Sequence, residues 1–556
     1  MNQLHSIFFF SFYGKINKTG ITEQEWGKRD TVKNKANNNH KFSAIALAAI
    51  ILLGLTGVWS YFSVYTPYYE TERNRLLTFT AHLAPIDLDP AFVGDFSSYE
   101  AVVNIFDRLV QYKQGTFEIE PSLATSWETP DPLTYIFNLR NDVFFHDGSH
   151  FNSSSVKYSL ERTMEMGAGT SYILDAIDTI EVLDTYRIKI TLTEEFSPFL
   201  QVMAHPAASI VSPTAAEAMG TGTQPPVGFN ANPVGTGPFK FDHWIKDKEL
   251  VLKANKEYFR GAPRFETIDF KVILESSERL LQITKGGMDA DLSSTGITLE
   301  DFASLERNPD VHVYKQHGLS VEFLALNLQK PPLNDSRVRE AIAYAIDYDA
   351  IIEEGIAGGA ERIGGPVAPG IFGFTDLPLR QQDIGKAKQL LDEAGYPKGF
   401  HTTLTFNIDN LYRRKEAEVI KNSLLTIGID VTLEGLDWGS VVDKYIAMSH
   451  EMGLDMWSPD YFDADSYLKP LFYSSGDFNE FAFSDPRVDE LLDQARTETS
   501  PDMRLSLYRE AQERIADQVP AIFLFVQTRH DIMRFNVGNY VQSPTGFLYA
   551  YDLYRR

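Results

Sequence analysis

A chain of 556 residues exceeds the roughly 250–300 at which a single hydrophobic core stops growing, so two or more lobes are expected. A formal charge of −25 opposes nucleic-acid binding, which needs a concentrated basic face, but admits a cationic or zwitterionic ligand. There is no cysteine, which excludes disulfides, thiolate metal sites, cysteine nucleophiles and the acylated cysteine that tethers a lipoprotein.

Residues 1–41 are polar and rich in Asn and Lys, a composition that predicts a disordered tail. No charged side chain occurs between Lys41 and Glu70, a run long enough for the ~20 residues that a bilayer requires, and its centre, Ala44 to Val58, is almost wholly apolar. A transmembrane anchor is therefore expected over 42–65. Seven Lys or Arg precede it against three acids, and Trp59, Tyr61, Phe62 and Tyr65 follow, so the tail is expected in the cytoplasm and the bulk of the chain outside the cell membrane. The alternative is a signal peptide cleaved after Val58-Trp59-Ser60, leaving a secreted or periplasmic protein. The forty residues before the apolar run are too many for an ordinary signal and favour the uncleaved anchor.

Leu77 to Thr80 reads as a first strand, followed by Leu88-Asp89-Pro90 and a helix near Ser98 to Leu109. The stretch from Leu123 to Arg162 is the most informative in the chain. Leu133, Tyr135, Phe137 and Leu139 alternate with polar residues, the period of a half-buried strand, and a short second strand follows at Val143 to Phe145. His146-Asp147-Gly148 supplies a turn, and Asn152 to Ser155 offer N-caps to a helix through Arg162. Read on its own, this is a structural hairpin and helix; a further hairpin follows, from Ile180 to Leu192.

The spaced strings A-x-S-W-E (from Ala124), L-T-Y-x-F-x-L-R (from Leu133), F-H-D-G-x-x-F (from Phe145) and V-x-Y-S-x-E-R (from Val156) resemble the signature of the family 5 extracellular solute-binding proteins, the peptide- and nickel-type receptors that feed ABC importers. The resemblance continues in the same order to the end of the chain. Asn232-Pro233-Val234-Gly235-Thr236-Gly237-Pro238-Phe239 is Gly-rich, but no Gly-Lys-Ser or Gly-Lys-Thr follows, so phosphate binding is not expected. The resemblance implies instead a crossover from a small subdomain back to the first lobe.

Strands are expected at Lys240 to Trp244, Leu250 to Lys253 and Ile268 to Val272, then a helix from Ser277 closed by Gly286-Gly287 and a strand at Asp289 to Leu292. A hinge is placed around Phe323 to Asn327. Asp335 caps a helix through Asp347, whose Arg337 and Arg339 are expected to be one solvent-facing and one structurally paired residue rather than anion ligands. Asp383 caps a helix ended by Gly395; Thr403 to Phe406, a helix from Arg414 to Ile427 and Ile429 to Leu433 follow as a βαβ-like alternation. Met503 to Asp517 is strongly helical. Pro520 to Val526 is a buried strand that, by the resemblance, returns the chain to the first lobe.

Met456 to Asp465 concentrates Trp457, Tyr461, Asp460, Asp463 and Asp465 in a Pro-containing loop. A carboxylate flanked by aromatic rings in a cleft can pair with an ammonium group, the rings adding cation–π attraction and excluding water. In peptide-binding members of the family the W-x-x-D-Y motif supplies the carboxylate for a peptide's amino terminus, which implies Asp460 here, with Trp457 and Tyr461 as further ligand-binding residues. The chain departs from the family just beyond, with Asp463-Ala464 where a D-P pair is common. His146 and His150 flank a turn rather than one helix face, so no shared metal is expected. No His-Glu-x-x-His or Gly-x-Ser-x-Gly occurs, and neither cofactor nor metal is expected.

The resemblance thus implies an α/β, two-lobed periplasmic-binding-protein-like fold of the large peptide-binding type with an extra subdomain, preceded by one transmembrane helix. Lobe I is expected to comprise 75–120, 231–325 and 527–556, with a subdomain at 121–230, and lobe II 326–526. The expected function is that of a monomeric, non-enzymatic extracytoplasmic receptor, which closes on oligopeptides or dipeptides about a hinge and delivers them to permease subunits. The alternatives are an oligosaccharide or other solute bound by the same fold, a sensory role without a transporter, or a surface hydrolase using Asp460, Asp463 and Asp465.

Overall fold

Two long strands, Val311–Leu326 and Ala521–Arg534, run antiparallel through the middle of an eleven-stranded mixed sheet and are shared by both its halves. The computed structural model describes residues 75–81, 84–220, 227–292, 296–356 and 359–556. The cytoplasmic tail and membrane anchor expected at 1–41 and 42–65 lie outside the described residues. Among those described, no helix is long and apolar enough to cross a membrane.

On one side of the long strands the sheet continues through Ala290–Asp291, Leu76–Ala81, Thr267–Val272, Glu249–Ala254 and Phe239–Ile245. On the other it continues through Met452–Trp457, His401–Asn407 and Asp430–Leu436, and the eleventh strand, Ala360–Arg362, pairs with Ala521–Arg534 off this path. Leu76–Ala81 lies parallel to both its neighbours, and Leu77, Thr78, Phe79 and Thr80 are all buried, as a parallel strand covered on both faces requires. In the second half the pleat sorts one strand into two cores. Val321, Phe323 and Ala325 pack with Tyr467, Phe481 and Tyr508, whereas Leu324 and Leu326 pack with Ile342, Leu404 and Leu454.

The ladder between the long strands is broken where the halves meet. His317 pairs with Thr528 and Val321 with Val526, so Gly318, Leu319 and Ser320 face the single residue Gln527. A side chain at Gly318 would collide with the Gln527 carbonyl, which explains the glycine at this bulge. Phe323 to Leu326, where sequence placed the hinge, are instead paired on both sides, with Met452 to Asp455 and with Ala521 to Phe523.

The stretch from Ala124 to Leu192 forms a separate four-stranded antiparallel sheet in the order Ala124–Asp131, Thr134–Leu139, Arg187–Leu192, Ile177–Asp184. Tyr135, Phe137 and Leu139 are its buried face. Asn152 caps the helix Ser153–Met166 in a capping box with Ser155, as its spacing predicts. Arg162 on that helix grips Asp89 with two hydrogen bonds, one of 2.8 Å, both side chains being buried; this ties the E-R of the motif to the Asp-Pro pair after the first strand. The strand expected at Val143 to Phe145 reduces to one bridge, Phe144 to His150, because the turn closes before a ladder can extend.

His146 does not face His150. Its ring nitrogen meets the Gly237 carbonyl at 3.0 Å, burial pushes its pKa down to about 4, and His150 packs on Phe144 with ring centroids 4.0 Å apart. Gly235 and Gly237 pass so close to the Ile105 carbonyl that a Cβ at either would collide with it, which accounts for the Gly-rich crossover string without any phosphate. Arg337 chelates its own cap Asp335 at the surface, while buried Arg339 donates to the carbonyls of Leu333, Gln518 and Val519. Both guanidinium groups are engaged within the fold.

Candidate functional site

A cavity of about 760 Å³ opens between the halves, over the broken part of the central ladder. Gln316 to Ser320 and Gln527 to Arg529 form its base, and the loop after strand Met452–Trp457 forms one wall. That strand brings the chain to the edge of the cavity, and the loop beyond it leaves the extended path. Met456, Ser458, Pro459, Asp460 and Phe462 line the cavity.

Trp457 and Tyr461 do not line it. The Trp457 indole donates to the Ser466 carbonyl at 2.7 Å and packs on Phe478, centroids 4.8 Å apart. The Tyr461 hydroxyl donates to Asp465 at 2.7 Å, and its ring meets Phe196 edge-on across the cleft at 5.9 Å. Of the three residues singled out from sequence, Asp460 alone is brought to the cavity.

Asp460 is held lightly. Its carboxylate accepts from the Tyr172 hydroxyl at 2.7 Å, its backbone N–H donates to Ser466 Oγ at 2.9 Å, and no Lys, Arg or His among the described residues forms an ion pair with it. Burial pushes its pKa up, and the Tyr172 hydrogen bond opposes that only in part. A positively charged group entering the cavity would relieve this carboxylate.

The other two acids of the loop are spoken for. Asp463 is fully buried and accepts from Arg504 and from Tyr508, both at 2.8 Å, and also from the Asp465 backbone N–H at 3.0 Å. Asp465, equally buried, accepts from Tyr461. Neither reaches the cavity, so Asp460, Asp463 and Asp465 do not form the acid/base pair that the hydrolase reading requires. That reading is corrected by the geometry: a pair of working carboxylates must face one substrate.

Sequence reasoning missed the groups supplied by the first half. Glu100 lines the cavity at 4% exposure, is the only charged residue of the helix Phe96–Ile105, and has one carboxyl oxygen without a hydrogen-bond partner among the described residues. Burial raises its pKa to about 8 despite Arg529, so it stands neutral at pH 7. Arg529 itself is bound to Asp531 at 2.9 Å and to the Gly546 carbonyl. His205 accepts from the Ala207 N–H and is held neutral, its pKa pushed down to about 3 by burial, with the Arg108 charge adding to the effect. A lone acid in an otherwise uncharged helix was the one signal in sequence that marks Glu100.

The family described as bacterial extracellular solute-binding proteins, family 5 Middle, matches residues 118–479. Heme-binding protein A of Haemophilus influenzae is 30% identical over 506 residues, covering 86% of this chain and 92% of the relative. The dipeptide-binding protein of Escherichia coli is 28% identical over 504 residues, covering 85% and 93%. Among solved structures, HbpA2 from Haemophilus parasuis is similar with a TM-score of 0.78 at 28% identity, covering 86% of this chain and 100% of that one. The periplasmic binding protein DppA from Helicobacter pylori, in complex with the peptide STSA, has a TM-score of 0.74 at 32% identity, covering 87% and 99%.

Proposed function

The chain belongs to the bacterial extracellular solute-binding proteins of family 5, the non-enzymatic receptors of ABC importers, and from that premise we propose that it captures short peptides, with Asp460 holding the ligand's amino terminus. The carrying observation is the position of Asp460: a carboxylate in the interlobe cavity, raised in pKa by burial, with a lone tyrosine hydroxyl as its side-chain partner among the described residues. An ammonium group there forms a charge-assisted hydrogen bond, worth ~1.5–3 kcal/mol. Gly318 to Ser320, without a partner in the central ladder, line the same cavity and offer main-chain groups to an extended peptide. The dipeptide-binding protein of Escherichia coli and the peptide-bound DppA of Helicobacter pylori agree with a peptide ligand, and the heme-binding protein of Haemophilus influenzae marks the family's breadth.

In this reading the lobes close about the ladder break at 317–321, and the closed form docks on permease subunits as a monomer. Lobe I comprises 75–120, 231 to that break and 527–556, lobe II follows the break to 526, and the apolar segment 42–65 tethers the receptor to the outer face of the membrane. A sugar-binding receptor is the rival, supported by the aromatic rings of Phe96, Tyr99, Phe547 and Tyr549 on the cavity wall, and it would not depend on Asp460.

The test is calorimetric titration of the full chain with a pool of di- to pentapeptides, repeated with Asp460→Asn and with N-acetylated peptides. Heat of binding that disappears in both controls supports the peptide reading. Silence toward every peptide, with saturable binding of oligosaccharides, overturns it and leaves the family assignment untouched.

A further inference from the structure

A second, smaller cavity of about 270 Å³ lies beside the first, and the two share Tyr112, Pro544 and Tyr549 as their common wall. Arg108 lines the smaller one at 4% exposure. Its guanidinium makes one long hydrogen bond, from Nη1 to the Phe106 carbonyl at 3.4 Å, and Nε has no partner. No carboxylate among the described residues forms an ion pair with it. Its neighbour Asp107 is committed elsewhere, accepting from Thr236 at 2.8 Å and from Tyr258 at 2.9 Å.

A buried guanidinium carries five donors and cannot shed its charge, so a site that leaves it almost unbonded is costly unless an anion arrives. Contrast Arg162, Arg413 and Arg504, equally buried, each of which meets a carboxylate within 3.2 Å. Arg108 also acts on the main cavity, since its charge contributes to keeping His205 neutral on that wall.

We infer that the smaller cavity is an anion subsite in which Arg108 receives a carboxylate of the solute seated in the main cavity. This rests on the peptide reading above and narrows it to ligands that carry a negative group in addition to the amine held by Asp460. The carboxylate is either the ligand's terminal one or that of an acidic side chain.

The test titrates the full chain, its Arg108→Met variant and its Arg108→Lys variant with trialanine, trialanine amide and alanyl-glutamyl-alanine amide. Trialanine is expected to bind about tenfold or more tightly than its amide to the native chain, and equally to Arg108→Met, with Arg108→Lys in between. Recovery of affinity by the glutamyl amide would assign the subsite to a side chain, and lack of recovery to the terminus. Amidation and Arg108→Met each changing trialanine affinity less than about twofold, with Arg108→Met leaving the glutamyl amide within about twofold as well, overturns the subsite and leaves the peptide reading standing. If the native chain ignores all three peptides, the peptide reading fails, and ligand-free thermal unfolding decides Arg108 separately. A higher midpoint in Arg108→Met supports an uncompensated cation kept for an anionic ligand, and a lower one shows a structural tie and sinks the inference.

Discussion

Asp460 and Asp463 stand three residues apart in one loop and have opposite fates. Asp463 is sealed beneath the loop, gripped by Arg504 and Tyr508, and holds the chain's path; Asp460 projects into the cavity with a tyrosine hydroxyl for company. Their chemistry is identical, so the difference lies in what the fold leaves undone. A buried ion pair whose hydrogen bonds are complete is architecture, while a desolvated carboxylate without a cation is a candidate for function.

The contrast is broken most violently at Asp463. Asp463→Ala leaves Arg504 buried and unpaired, and is expected to cost ~3–5 kcal/mol, read as a lowered urea midpoint. Asp460→Asn is expected to leave the urea midpoint in place and to reduce peptide affinity about tenfold or more, or ~1.4 kcal/mol and upward. Equal loss of stability in the two variants would erase the distinction between them.

Glu100 sharpens the comparison from the facing wall, since it shares the cavity with Asp460 but is held neutral. Its folded pKa is raised from 4.5 to about 8, so the native state retains a proton that the unfolded chain releases. Its contribution to stability is therefore full at low pH, declines as pH rises above 4.5 and is lost by about 8. Glu100→Gln should flatten the fall in unfolding midpoint across this window, and an unchanged pH profile would show that Glu100 does not hold its proton there.

The smallest effect is expected for Tyr172→Phe, which removes the hydrogen bond that partly restrains the Asp460 pKa. The carboxyl then rises further, and amine binding, which needs the charged carboxylate, should fail at a higher pH on acidification. At neutral pH the change in affinity should stay below ~1 kcal/mol.

Much of the scaffold was legible because its signals are local. Asn152, Asp335 and Asp383 cap the helices that their spacing announces, and the alternation of Tyr135, Phe137 and Leu139 is the buried face of a strand. In the site loop, aromatic composition drew Trp457 and Tyr461 toward the ligand, whereas their polar atoms are bound to the Ser466 carbonyl and to Asp465, and Met456, Ser458, Pro459 and Asp460 line the cavity. The opposite wall left no local signal: Glu100, Arg108 and His205 come from segments hundreds of residues before the site loop and Arg529 from a strand well after it, and only the folded chain brings them to the two cavities. The hinge expected around Phe323 to Asn327 falls on a paired stretch, since an apolar run such as Phe323 to Leu326 marks a strand but not the point at which its pairing falters.

The two long strands have a consequence for the chain as a piece of genetic text. Val321 pairs with Val526, and further out the Leu326 N–H still reaches the Pro520 carbonyl at 3.1 Å, so the second lobe leaves and re-enters through adjacent doors. The segment from 321 to 526 is thus a cassette whose ends already touch. It carries both strand ends that complete its two cores, which makes 321 and 526 the two splice points at which its excision, closed by a short linker, can be tested.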